Sequence, residues 1–454
     1  MGYYILKSYD LKIGSASIFS VLKEEKNCFF LDTGIRGYGR LGRYSFLGID
    51  PFYILCVKNK NPFGQLKALL DKYRISAQKD SPPFLGGAVG YFSYDLGFLL
   101  EEKLKMANPE DIRIPECFLG FYNTAIIIDN LQKRLYICAA GFPEKNYLAA
   151  RALCRRNLAK VQHLLSFAGK LGYAHDRDDH ARKPELESNF TKQGYIAAIK
   201  RAKDYIKAGD IYQVNLSQRF QAKTDTSAFD IYRRLRLASP SCFSAYLDCQ
   251  DFQILSSSPE RFLKLDSDRV FTRPMKGTRS RGRSKSEDAS LKKALLDSNK
   301  DKAELTMIVD LERNDLGRAC AYDSIRVDKL REIEKYRTVW QTTASISGRL
   351  RRENDRIDLL RACFPGGSVT GCPKIRAMEI IEELEPNRRG IYTGSLGYLS
   401  FSGSMDLNIL IRTILKKGKN VYFGVGGGIV SDSRPEDEYR ETLVKAKGMV
   451  EALG

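Results

Sequence analysis

Glycines stand beside bulky, β-prone residues at several places in this chain, and that pairing narrows its possible folds more than any other feature. Gly42-Arg-Tyr-Ser-Phe-Leu-Gly48 and Phe84-Leu-Gly86-Gly87-Ala-Val-Gly90-Tyr91 both show it. Such segments predict strands whose backbones lie close to a neighbour. A third run, Gly424-Val-Gly426-Gly427-Gly428, allows a backbone to lie flush against a flat ligand. Thr124 to Ile128 and Leu135 to Ala139 flank Asp129-Asn130-Leu131, which predicts a hairpin. Ala149 to Leu165 has helical composition, and the stretch from about 168 to 190 is charged and contains proline. That stretch is the best boundary candidate, dividing a region 1–185 from a region 186–454. From Thr191 a helix is predicted to Ala208, with Ile196, Ile199, Ala202 and Ile206 on one face and Gly209 as its C-terminal cap. Strands and helices then alternate to the end.

Composition sets the class. The chain has 454 residues, 43% hydrophobic and 28% charged, which suits a soluble globular protein with a substantial core. No apolar run approaches the ~18 residues that span a bilayer, and the start resembles no signal peptide, so no membrane partner is expected. Ten cysteines without a C-x-x-C pair read as reduced thiols, which points to the cytoplasm. The net charge of +19 admits a basic nucleic-acid-binding protein, but no recognition motif accompanies it and acids are interleaved with the bases. A basic surface that attracts an anionic substrate or an acidic partner is the plainer reading, with no nucleic acid involved. The only histidines are His163, His175 and His180, so the motif-rich C-terminal half cannot build a His-based triad or a His-rich metal site. His175 and His180, with aspartates between them, are a remote candidate for metal chelation.

Several local patterns carry possible chemistry. Asp301 and Glu304 are three apart in a helical pattern, as are Glu438 and Glu441. Ser433 and Glu436 fit a capping box, and Pro435 suits a first helical turn. Two helices bearing paired acids can hold Mg²⁺, which takes one or two protein carboxylates, waters and an anionic substrate. Spacing alone equally fits solvated surface charge, the commoner case. Phe364-Pro-Gly366-Gly367-Ser368-Val-Thr-Gly371-Cys372-Pro373-Lys374 looks like a phosphate loop but has Cys-Pro where Lys-Ser/Thr belongs. A glycine-rich turn feeding a helix remains, and a helix start can bind an anion. Arg412 interrupts the apolar run from Asn408 to Ile414 and needs a partner, either a structural acid or a ligand carboxylate. Lys276, between Pro274 and Gly277, is a nucleophile if burial lowers its pKa, although a lone lysine usually lies on the surface.

Seven segments, in this order, resemble the chorismate-binding family. They are Gly209-Asp-Ile-Tyr-Gln213-Val-Asn-Leu-Ser217, Ser258-Pro-Glu260-Arg-Phe262, Arg273-Pro-Met-Lys276-Gly-Thr278, Asp310-Leu-Glu-Arg-Asn-Asp-Leu-Gly317, Gly366 to Met378, Tyr392-Thr-Gly-Ser-Leu-Gly397, and Gly426 to Glu441. The family includes the large subunits of anthranilate and aminodeoxychorismate synthases and the isochorismate and salicylate synthases. The resemblance implies an α+β fold of orthogonally packed antiparallel β-sheets enclosed by helices. It implies chorismate as substrate and Mg²⁺ held by Glu304 and Glu441, with Asp301 and Glu438 on its waters. Tyr392 and Arg412 would hold the enolpyruvyl carboxylate, Gly428 would lie against the ligand, and Ser368 with the helix beyond Pro373 would donate hydrogen bonds. Lys276 would be the nucleophile and Glu260 the general acid and base. Gln213 stands where water-using members carry a lysine, which points to ammonia. Lys276 stands where anthranilate synthases usually carry alanine, and Gln341 stands where they carry histidine. The resemblance is therefore strongest to the aminodeoxychorismate synthase branch, with ammonia supplied by a separate glutaminase subunit, and anthranilate synthesis is the alternative.

Overall fold

The computed structural model describes residues 2–35, 39–168, 184–336 and 339–454. His175 and His180 lie outside these residues. Among the described residues two antiparallel sheets form, one of twelve strands and one of ten. The first begins with Tyr4–Asp10, Arg134–Ala140, Thr124–Asp129, Tyr44–Gly48 and Phe29–Asp32, and continues through Phe243–Asp248, Gln253–Ser258, Thr413–Lys417, Asn420–Ile429 and Gln213–Lys223 to Gly371–Cys372. The second runs from Met275–Ser280 through Val339–Arg349, Arg269–Arg273, Arg261–Asp266, Met405–Ile409 and Ser395–Ser400 to Gly87–Phe92, Cys117–Tyr122 and Tyr53–Val57. Both sheets take strands from either side of residue 185. The joins are Phe29–Asp32 on Phe243–Asp248 and Gly87–Phe92 on Ser395–Ser400.

The apolar periodicity explains the layers. One cluster, including Phe29, Phe84, Phe92, Phe121, Tyr398 and Leu407, draws on strands of both sheets and forms the core between them. A second lies on the outer face of the first sheet, where Phe19, Leu158, Tyr232 and Met449 bring in four helices: Ser15–Leu22, Tyr147–Ala168, Ala228–Ala238 and Pro435–Leu453. A third sets helices Lys192–Ala208 and Lys374–Leu384 against Val214, Leu216 and Ile429. Eight of the ten cysteines are buried, as small apolar side chains.

The predicted hairpin forms, and Asp129 accepts from the turn amides of Leu131 and Gln132. The predicted helix is Lys192–Ala208, capped by the Thr191 hydroxyl and ended by Gly209 at φ +85°. Two local expectations are corrected. The helix Pro435–Leu453 has Arg434 at its cap and Pro435 in its first turn, but no capping box. The Ser433 hydroxyl instead donates to Glu438, at 2.6 Å, one helical turn further in. The apolar run around Arg412 is not one strand. Met405–Ile409 belongs to the second sheet and Thr413–Lys417 to the first, and Arg412 sits at the crossover with φ +51°. Glu260 occupies a matching crossover, between Gln253–Ser258 in the first sheet and Arg261–Asp266 in the second. The two crossovers run side by side, because the Ile409 amide donates to the Glu260 carbonyl at 3.1 Å and the Ser257 amide to the Arg412 carbonyl at 3.0 Å.

Candidate active site

The site forms where an edge strand of the second sheet meets the glycine-rich end of a strand within the first. Met275–Ser280 is an edge strand of the second sheet and carries Lys276. Opposite it, the glycine run ends the strand Asn420–Ile429 of the first sheet. A carbon added to Gly428 would fall 2.5 Å from Gln213 Nε2 and 3.4 Å from Lys276 Nζ. Only glycine lets the lysine and the amide come so near the strand. Gln213 is fully buried, and among the described residues neither its amide nitrogen nor its amide oxygen has a hydrogen-bond partner. Such a group costs free energy unless something else pairs with it.

Burial lowers the Lys276 pKa, with the like charge of Lys445 acting in the same direction, while Glu304, Glu260 and Glu441 oppose it. Glu260 is 4% exposed. Its Oε1 accepts from the Ser368 hydroxyl at 2.6 Å. Burial raises its pKa, and the bonds from Ser368 and the Met275 amide together with the Lys276 charge pull it back. A lysine pushed towards neutrality beside a carboxyl pushed towards protonation can serve as a nucleophile paired with an acid.

The acid pairs come from two helices, as their spacing predicted. Asn299–Gly317, capped by Ser298, packs on the strands that carry Lys276 and Gln341, and presents Asp301 and Glu304. Pro435–Leu453 packs on the glycine strand and presents Glu438 and Glu441. A carbon on Gly427 would lie 3.4 Å from a Glu438 oxygen and 3.7 Å from both Glu441 Oε1 and Lys445 Nζ. Each acid has a cationic neighbour. Lys300 reaches Glu438 at 3.3 Å and Glu304 at 4.0 Å. Lys445 pairs with Glu441 at 2.7 Å, and Arg279 with Asp301 at 2.8 Å. Burial raises the Glu304 pKa, whereas Lys445 lowers that of Glu441. Among the described residues no three acid, His or Cys side chains are gathered as a metal-ligating set.

The remaining predicted site residues stand as follows. Arg412 is partly buried, and burial lowers its pKa. Among the described residues its guanidinium makes one long hydrogen bond, from Nη1 to Ser239 Oγ at 3.5 Å, and no structural acid pairs with it. The Tyr392 ring packs on Gly424 and faces the Arg389 guanidinium at 5.8 Å. It therefore sits four positions, about 13 Å, along the strand from Gly428. Ser368 is buried, with its hydroxyl bonded to Glu260. The helix beyond Pro373 starts beside a different groove of about 1100 Å³, lined by Met307, Asp310, Asp315, Pro373 and Lys374, and neither Lys276 nor Glu260 lines it. Gln341 is buried beside the Lys276 strand, and its Oε1 has no partner. Sequence reasoning missed Lys300, Lys445 and Arg279. Lys300 and Lys445 each lie four residues from an acid they contact, a spacing that was there to be read.

A buried lysine, a buried carboxyl and two acid-bearing helices gathered where the two sheets meet make an enzyme-like site. The chain belongs to the chorismate binding enzyme family, which it matches over residues 27–451. It is 37% identical to anthranilate synthase component 1 of Aquifex aeolicus, over 96% of this chain and 91% of that one. It is 35% identical to aminodeoxychorismate synthase component 1 of Bacillus subtilis, over 91% of this chain and 90% of that one. The crystal structure of anthranilate synthase component I from Streptococcus pneumoniae superposes with a TM-score of 0.79 at 31% identity, covering 92% of this chain and 95% of that one.

Proposed function

We propose that this enzyme aminates chorismate to 4-amino-4-deoxychorismate and keeps the enolpyruvyl group, as the large subunit of an aminodeoxychorismate synthase. The observation that carries this reading is the Lys276 amine, held against Gly428 and Gln213 beside a buried Glu260. In this reading the neutral Lys276 amine attacks the ring and forms a C–N bond while the ring C–O bond breaks. Glu260 gives its proton to the departing hydroxyl, which leaves as water. Ammonia then adds at the carbon that the hydroxyl has left and expels the Lys276 amine, and the Glu260 carboxylate takes the surplus proton from the new nitrogen. The unpartnered Gln213 amide supports a role in orienting the entering nitrogen. The unpaired Arg412 guanidinium supports a role in holding a substrate carboxylate, and we place Tyr392 with it.

We also propose Mg²⁺. The donors are carboxylates on two helices, and an ammonium, that of Lys300, already reaches across from one helix to the other. Mg²⁺ needs only one or two protein carboxylates when an anionic substrate completes its shell, so Glu304 and Glu441 suffice, with Asp301 and Glu438 on its waters. When bound it would neutralise the ring carboxylate. A separate glutaminase subunit would supply ammonia, and the cytoplasm is the expected compartment.

The second reading is anthranilate synthesis, favoured by the 37% identity to a relative of that name. The test is to incubate the purified chain with chorismate, Mg²⁺ and ammonium and to identify the product by mass spectrometry. Aminodeoxychorismate without pyruvate supports the first reading, and anthranilate with pyruvate overturns it.

A further inference from the structure

A buried ion pair outside the Lys276 cluster joins three segments of the site. Arg389 is 6% exposed and Glu385 is 4% exposed. All five guanidinium N–H groups of Arg389 are used. Nε donates to Glu385 Oε2 at 2.9 Å, and Nη2 donates to Glu385 Oε1 at 2.7 Å and to the Asn215 carbonyl at 2.5 Å. Nη1 donates to the Val369 carbonyl at 3.0 Å and to Thr393 Oγ1 at 3.2 Å. The guanidinium also stacks on Tyr94, 4.6 Å from the ring centroid. Glu385 in turn accepts from the Ser217 amide at 2.8 Å and the Ser217 hydroxyl at 2.9 Å.

Each partner adjoins a site residue. Asn215 and Ser217 follow Gln213 on one strand, Val369 follows Ser368, and Thr393 follows Tyr392. Thr393 has φ +60°, which a β-branched residue rarely adopts unless its surroundings hold it there. We propose that Arg389, held by Glu385, is a positioning residue that fixes Gln213, Ser368 and Tyr392 relative to one another. A buried ion pair is weak evidence for stability, because desolvation offsets its attraction, and it is better suited to specifying geometry. Lysine cannot replace it, since a single ammonium lacks the planar fork that reaches all three segments.

The proposal shares the site with the chorismate reading and rests on it only in its kinetic arm. The structural arm compares hydrogen exchange in apo wild type and Arg389→Lys. Exchange should quicken together in peptides covering 213–217, 366–370 and 390–394, by about tenfold or more, and stay unchanged in the Thr124–Ala140 hairpin. The kinetic arm is a double-mutant cycle with Ser368→Ala. Arg389→Lys should lower kcat/KM about 100-fold in the wild-type background. In the Ser368→Ala background it should cost about tenfold less, because it acts partly through that turn. Uniform exchange across the chain, a change confined to one segment, or fully multiplicative losses would each overturn the proposal. If Arg389→Lys does not fold, Glu385→Gln takes its place with the same three-segment pattern required. If wild type does not turn over chorismate, the chorismate reading fails and the exchange pattern alone decides the positioning role.

Discussion

Lys276 and Glu260 are driven in opposite directions by the same cause. Burial disfavours the charge on each, so the lysine moves below its ordinary 10.5 and the glutamate above its ordinary 4.5. Activity should therefore follow a bell in pH whose two limbs belong to the Lys276 and Glu260 pair. The Ser368 bond favours the Glu260 carboxylate and lowers its pKa, so Ser368→Ala should let that pKa rise further. The limb of kcat/KM that Glu260 sets should then move to higher pH, and two unmoved limbs would show that another group sets it. Lys276→Ala should remove nearly all turnover while leaving the far-ultraviolet circular dichroism unchanged. These two residues were legible in the sequence because short, ordered motifs carry them. Lys300 and Lys445 show their spacing to an acid, but that spacing does not by itself mark a site, because a lysine four residues from a glutamate is an ordinary feature of any exposed helix.

The elements show how much of the site is made by leaving side chains out. Gly428→Ala would put a carbon against the Gln213 amide and near Lys276. A displacement of about 1 Å there should cut kcat about 100-fold with little change in melting temperature. The facing helices carry another consequence. Lys300 spans Glu304 and Glu438, so its charge competes with any divalent ion placed there. Lys300→Met should lower the Mg²⁺ concentration for half-maximal activity several-fold, whereas an unchanged value would separate Lys300 from the ion. Helix positions were readable from periodicity and caps, as at Thr191 and Gly209. The cap of Pro435–Leu453 was not, because the Ser433 hydroxyl found the buried Glu438 of the same helix in place of Glu436. Arg412 misled for a related reason. A strand pattern continues through it although the chain changes sheet there.

At the scale of the molecule, the long charged stretch near 168–190 suggested a division of the chain, and each sheet holds strands from both parts. In each sheet the strands from before residue 185 form one block and those from after it another, joined at a single pairing, and pairings so distant in sequence leave no local trace to read. The isolated stretch 186–454 would lose Phe29–Asp32 from one sheet and Gly87–Phe92 from the other. It would expose unpaired strand edges and the aromatic core. Such a fragment should be insoluble or unfolded by circular dichroism, and the whole chain should melt in one transition. The paired crossovers at Glu260 and Arg412 bear on this too. Two sheets that exchange strands are tied there by the chain itself, and Glu260 and Arg412 sit at that tie. On the proposed reading, a ligand held by Arg412 on one side and Lys276 on the other would be a strut across the joint, a second brace beside the one the backbone already provides.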